Sequence, residues 1–225
     1  MKINIKNIWK WLIRFVIAFF VVSILSTALF RFIPIPITPL MVIRSVEQVL
    51  DGKVPKIQKE WVPIKDISPN LILAVIASED QKFAEHFGFD FEAIQKVVKQ
   101  NEKLKKRGKP IKGGSTISQQ CAKNVYLFPN RSYIRKGLEV YFTILIEALW
   151  SKNRIMEVYL NVIEMGDGIY GAQAAAELFF KKDAKNLNAT EAATIAAVLP
   201  NPRKWNAGKP NGYTIKRKNW ILKQM

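Results

Sequence analysis

Sixteen consecutive residues without a charge, Phe15 to Phe30, constrain this chain more than any other feature. At about 1.5 Å per residue they make a helix of about 24 Å. Adding Trp11–Ile13 and Phe32–Ile33, with Arg14 and Arg31 snorkelling, brings the run near the roughly 20 residues that a bilayer core requires. Lys2, Lys6, Lys10 and Arg14 precede or open the run and no acid stands among them, so the positive-inside rule keeps the N-terminus cytoplasmic and sends residues 34–225 to the far side. The run is longer than a typical signal-peptide core. It is followed by Pro34, Pro36 and Pro39 rather than by a small-x-small cleavage site, so a retained anchor is expected. The expected organisation is a basic tail over 1–10, a transmembrane helix over 11–33, a stiff linker over 34–58 and one folded domain over 59–225.

Composition narrows the chemistry. The 225 residues carry 35 Lys plus Arg against 18 Asp plus Glu, a net charge of +17. Such an excess calls for a polyanionic partner: nucleic acid, anionic lipid or a phosphorylated substrate. Cys121 and His86 are the only residues of their kinds. An intrachain disulfide and a Cys-based zinc site are therefore excluded, and a nucleophilic triad has little to draw on. Acid–base chemistry falls to carboxylates.

Leu71 to Ala77 is apolar on every face and reads as a helix buried all round, over about 69–82, with Ser68 as N-cap and Pro69 at its first position. Glu79 and Asp80 emerge at its end. Both the helix dipole and burial disfavour a charged carboxylate there, which raises its pKa toward the range of a general base. The same residues could equally be solvated at a helix end.

The rest of the chain reads as mainly α, with few strand signals. Residues 41–50 suit a short helix and 51–67 a loop or short strand. Asp90 suits the N-cap of a helix over 91–106. Eight basic residues and one acid, Glu102, lie between Lys96 and Lys112, a solvated segment or a mobile flap. Gly113-Gly114-Ser115-Thr116 is a turn in which Ser115 or Thr116 caps a helix reaching Tyr126, and the free N–H groups of such a helix start bind phosphate readily. Residues 132–150 show Tyr141, Ile144, Leu145, Ala148 and Leu149 at helical spacing, with Arg135, Glu139 and Glu147 among them. A buried acid there requires a partner. Helices are further expected over 152–161, with Ile155, Val158 and Tyr159 in the core, and over 172–180, 191–199 and 212–225.

Taken together, five ordered blocks resemble the peptidoglycan glycosyltransferase family, the family 51 transglycosylases, and most of all its monofunctional, membrane-anchored members. The blocks are Glu79-Asp80-x-x-Phe83-x-x-His86-x-Gly88-x-Asp90; Gly113-Gly114-Ser115-Thr116-Ile117-Ser118-Gln119-Gln120 with Lys123-Asn124; Arg135-Lys136-x-x-Glu139 with Glu147; Ile155-x-Glu157-x-Tyr159-Leu160-Asn161; and Gly168-x-Tyr170-Gly171 with Ala174-Ala175-Ala176. The resemblance covers about residues 60–205. Lys181 stands where the family often has Gly, and the Ser-x-x-Lys and Lys-Thr-Gly motifs of a penicillin-binding module are missing.

The resemblance implies a lysozyme-like α lobe with a small membrane-facing lobe. It implies polymerisation of lipid II into β-1,4-linked glycan, with a lipid-linked growing strand as donor and undecaprenyl diphosphate as the leaving group. Glu79 and Glu139 carry over as the catalytic carboxylates, Glu79 as base and Glu139 holding a cation or a metal. Ser115, Gln119, Gln120, Lys123, Asn124, Arg131, Arg135 and Lys136 carry over as substrate- and pyrophosphate-binding residues, with Asp80, Phe83 and His86 supporting the motif. Blocks four and five are expected to be structural. The family expectation includes no organic cofactor, leaves open a divalent cation (Mg or Mn), and places the enzyme in the inner membrane with its domain in the periplasm. Lipid II, the membrane and cell-wall synthesis or division proteins are the expected partners, and nucleic acid is not. The rival readings are a lytic, glycan-cleaving enzyme and a membrane-anchored basic binding protein.

Overall fold

The computed structural model describes residues 5–108, 113–130 and 132–225. It divides into a first unit ending at Pro34 and a second, Ile35–Met225. The first unit is one helix, α1 (Ile5–Phe30). Within it Asn7–Phe30 is long and apolar enough to cross a membrane, with mean hydropathy 2.4. Ser23 and Thr27 donate back to the carbonyls of Phe20 and Ser23, so these hydroxyls are satisfied inside the helix, as a lipid environment demands. Arg31 to Ile33, expected within the span, leave the helix as a turn.

The second unit is helical with one small sheet. The stretch expected as linker holds α2 (Pro39–Leu50), capped by Thr38 and opened by Pro39. Its Leu40 and Met41 are buried, and it packs on α5 (Ile117–Tyr126). α3 (Pro69–Glu79) starts at Ser68 and Pro69 as the sequence predicts, but ends at Glu79 rather than near 82. The reason is that Asp80 leaves the helix to bind elsewhere. α3 packs against α9 (Ala189–Val198), whose Ala192, Ala193, Ala196 and Ala197 are fully buried. Small side chains on that face let the two helices approach closely, and α10 (Gly212–Gln224) packs across both.

α4 (Phe91–Lys106) is capped by Asp90 and has no buried residue. The basic run is thus helical as far as Lys106, and its end at 109–112 lies outside the described residues. α5 packs on α6 (Tyr133–Leu149) and on α7 (Lys152–Val162), where Ile155, Val158 and Tyr159 are fully buried as expected. On α6 the buried face is not the apolar series of the sequence. It is Glu139, Phe142, Thr143, Ile146 and Glu147, whereas Ile144 is 50% exposed. Polar partners for the two acids, described below, turn the helix inward on that side.

Three short strands, β1 (Gln58–Lys59), β2 (Glu164–Gly166) and β3 (Ile169–Tyr170), form a sheet in the order β1-β3-β2. β1 runs parallel and β2 antiparallel to β3. The fourth block ties this region down: the Asn161 amide exchanges two hydrogen bonds with the backbone of Val62 (2.8 and 2.9 Å), and Glu157 accepts the N–H of Ile64. Their role here is structural.

α8 (Ala172–Phe180) ends at Lys181, whose φ of 58° is left-handed; its N–H donates to the carbonyl of Glu177, and that of Lys182 to the carbonyl of Ala176. A side chain is disfavoured in this conformation, which explains why glycine suits the position. Lys181→Gly is expected to raise stability by about 0.5–1 kcal/mol, seen as a rise of about 1–4 °C in the thermal midpoint followed by circular dichroism.

Candidate active site

The end of α3 presents two adjacent acids with different fates. Asp80 is buried. Both its oxygens lie 3.0 Å from Nε2 of His86, and Oδ2 also accepts the N–H of Ile117 at 3.0 Å. It therefore locks the loop after α3 onto the first turn of α5. Phe83 is buried beside it, with the Lys152 ammonium 4.7 Å above its ring. Asp80, Phe83 and His86, expected to support the motif, thus lie in the one segment between α3 and α4.

Glu79 faces the other way. Gln120 Nε2 donates to Oε2 at 2.9 Å and Arg217 Nη2 to Oε1 at 3.3 Å. The side chain is 13% exposed. Burial raises its pKa above the usual 4.5, and the hydrogen bond from Gln120 and the charges of Arg217 and Lys123 only partly offset this.

Beyond Gln120 opens a cavity of about 400 Å³, lined among others by Lys123, Asn124, Arg135 and Arg44. α5 brings Gln120, Lys123 and Asn124 to this wall, one helical turn apart. Asn124 Nδ2 donates to the carbonyl of Gln120 at 2.8 Å, and Tyr159 donates to Oε1 of Gln120 at 3.3 Å. Gln120 is thereby aimed at Glu79. Burial lowers the pKa of Lys123. The neighbouring Glu139 and Glu79 act against this and Arg135 with it. Among the described residues Lys123 has no ion-pair partner, so its charge faces the cavity.

Glu139 is 3% exposed in its side chain. One oxygen takes Arg135 Nη1 at 2.6 Å and the other takes Lys136 Nζ at 2.5 Å. Lys136 also reaches Ser115 Oγ at 3.4 Å. Glu139 therefore holds two cations of the site in place. Glu147, one face of α6 further on, accepts from Ser118 and from Lys152, so both buried acids have the partners that burial demands.

Of the two caps that the sequence allows for α5, Ser115 and Thr116, it is Thr116 that caps the helix, in a capping box with Gln119: Gln119 Oε1 accepts the N–H of Thr116 and Thr116 Oγ1 accepts that of Gln119. Three N–H groups at this helix start are thus occupied: that of Ile117 by Asp80, and those of Thr116 and Gln119 by each other's side chains. Gln119, expected at the substrate, is turned into the cap and buried. Arg131 lies outside the described residues.

Residues 47–225 match the family described as transglycosylase. The chain belongs to the transglycosylase family. This transglycosylase is 51% identical over 225 residues to the biosynthetic peptidoglycan transglycosylase of Bdellovibrio bacteriovorus, covering 100% of this chain and 88% of that one. Its identity to the protein of the same name from Bacteroides thetaiotaomicron is 54% over 221 residues, 98% of this chain and 88% of the relative. To that from Haemophilus influenzae it is 51% over 221 residues, with 98% and 87% covered. Family and relatives together make it a peptidoglycan transglycosylase of cell-wall synthesis, and the apolar helix at its N-terminus is compatible with a single-pass anchor for such an enzyme.

The transglycosylase carries one site residue that sequence reasoning passed over. Arg217, read only as part of a basic terminal helix, reaches Glu79 and the carbonyl of Ser78 from α10. The sequence leaves a divalent cation open. Glu139 has both oxygens on cations and Glu79 has both on donors, so neither is free to hold an ion. Among the described residues no three of His, Cys, Asp and Glu gather as ligands.

Proposed function

We propose that this transglycosylase polymerises lipid II into β-1,4-linked glycan, with Glu79 as the base and Lys123 and Arg135 at the leaving group. The observation that carries this reading is the adjacency of a buried carboxylate, through Gln120, to a cavity lined with cations. The 4-hydroxyl of the acceptor GlcNAc attacks the anomeric carbon of the donor while Glu79 takes its proton. The bond to the pyrophosphate oxygen breaks, and the electron pair leaves with the lipid diphosphate. One displacement inverts α to β and requires neither a covalent nucleophile nor an organic cofactor.

Charge grows on the pyrophosphate as the bond breaks, so cations fixed beforehand lower the barrier. Lys123 acts there as a point charge and Arg135 as a planar donor. Glu139 positions Arg135 and Lys136, and Asn124 and Ser115 complete the polar wall. Gln120 orients the base. The N-terminus lies in the cytoplasm and the domain in the periplasm, at the inner membrane. Exposed Phe87, Phe91, Tyr133 and Ile134 support contact of the domain with lipid.

Purified full-length protein with labelled lipid II in detergent tests the reaction: long strands on a gel together with released lipid diphosphate are expected. Cleavage of preformed glycan without polymerisation would replace this reading by the lytic one. Arg217→Gln supplies a finer check. Removing a positive charge beside Glu79 favours its neutral form, so the acid limb of kcat/KM is expected to move to higher pH, by up to about one unit.

A further inference from the structure

Arg44 stands on α2, ahead of the family match that begins at residue 47, yet it lines the same cavity as Lys123 and Arg135. Its side chain is only 20% exposed. Nη1 donates to Glu47 at 2.7 Å. Nε pairs with Glu164 Oε2 by charge at 3.5 Å, without hydrogen-bond geometry, and is buried with no hydrogen-bond partner. Among the described residues Nη2 donates to none.

Among the described residues Glu164 is the only acid in the cavity wall. Its side chain is 7% exposed, and Oε1 is also buried without a partner. Burial raises its pKa, and the charge of Arg44 acts against this. The cavity is therefore lined by three cations and one acid. A partly desolvated guanidinium with unused donors requires an acceptor, and the excess of positive charge is what a dianion would neutralise.

We propose that Arg44, steadied by Glu47 and Glu164, is a third cation of this pocket and donates to a phosphate oxygen of the pyrophosphate. The assignment rests on reading the cavity as the pyrophosphate site. It makes α2 a part of that site: Leu40 and Met41 bury one side of the helix, and Arg44, one turn on, delivers its charge to the cavity.

The test is calorimetric binding of inorganic pyrophosphate to full-length protein in detergent, for wild type, Arg44→Gln, Arg44→Lys and Lys123→Gln, over a series of salt concentrations. Arg44→Gln is expected to weaken binding about tenfold or more and to flatten the salt dependence. Arg44→Lys, which keeps the point charge, recovers part of the loss. Lys123→Gln weakens binding as well. Weakened binding with Lys123→Gln and wild-type affinity with Arg44→Gln would overturn the role of Arg44 and leave the pocket standing. Wild-type affinity in every variant, or no binding to wild type, would overturn both. A lowered thermal midpoint in Arg44→Gln with unchanged pyrophosphate affinity would assign Arg44 to packing alone, and so also overturns the proposal.

Discussion

Glu79→Gln is expected to lower the rate of glycan polymerisation by about 10²–10⁴-fold while leaving the fold intact and slightly more stable. The loss follows, on the proposed mechanism, from removing the group that takes the acceptor's proton. The gain follows from burial. Glu79 is held above its usual pKa of 4.5 chiefly by desolvation, so the folded state binds its proton more tightly than the unfolded chain does. Between 4.5 and the raised value stability falls as pH rises, because the charged form must then be kept in a dry site. Glutamine keeps an oxygen for Gln120 and removes the charge. A thermal midpoint higher than wild type by about 2–4 °C is expected near neutral pH, with no difference below the ordinary carboxylate range. An inactive variant less stable than wild type at neutral pH would mean that Glu79 is a structural ion-pair partner of Arg217 and not a strained base.

Lys123→Met is expected to lower kcat by about 10²–10³-fold, the cost of removing one preorganised charge from a developing anion. Methionine keeps most of the apolar stem, and the two cations on Glu139 stay paired, so the fold has no new unsatisfied acid. The fall should appear in kcat more than in KM, since the charge on the pyrophosphate oxygen grows toward the transition state. Burial also holds the Lys123 pKa down. Its ammonium is therefore lost at lower pH than that of an exposed lysine, giving activity a basic limb. Lys123→Arg, which stays charged, should retain partial activity and move that limb to higher pH. A pH–rate profile of the three proteins decides the point, and an unchanged basic limb in Lys123→Arg would remove Lys123 from the chemistry.

What could be read from the sequence was local. Ser68 with Pro69, and Asp90, mark their helix starts because an N-cap acts within three residues of itself. The fully apolar run from Leu71 to Ala77 makes a core helix because no side of it suits water. What could not be read was settled by contacts distant in sequence. The apolar series on α6 points to one face, but Ser118, Arg135, Lys136 and Lys152 satisfy Glu139 and Glu147 and turn the other face inward. Gln119 and Gln120 are the same residue type side by side. One closes a capping box and its neighbour, 100° further round the helix, reaches Glu79. Arg217 lies 138 residues from Glu79 along the chain, and nothing in a run of Lys and Arg distinguishes the member that faces a carboxylate. The left-handed Lys181 marks the opposite case: the departure from glycine was visible, and only the backbone angle explains it.

The division of labour between Glu79 and Asp80 has a kinetic consequence. Asp80 joins the loop after α3 to the first amide of α5, and three and six residues along α5 stand Gln120 and Lys123. On the proposed mechanism the base stands one residue before Asp80 on α3, and the leaving-group cation six residues beyond the α5 amide that Asp80 holds. Bond making and bond breaking then share one datum, because a single buried carboxylate ties together the two helices that carry them.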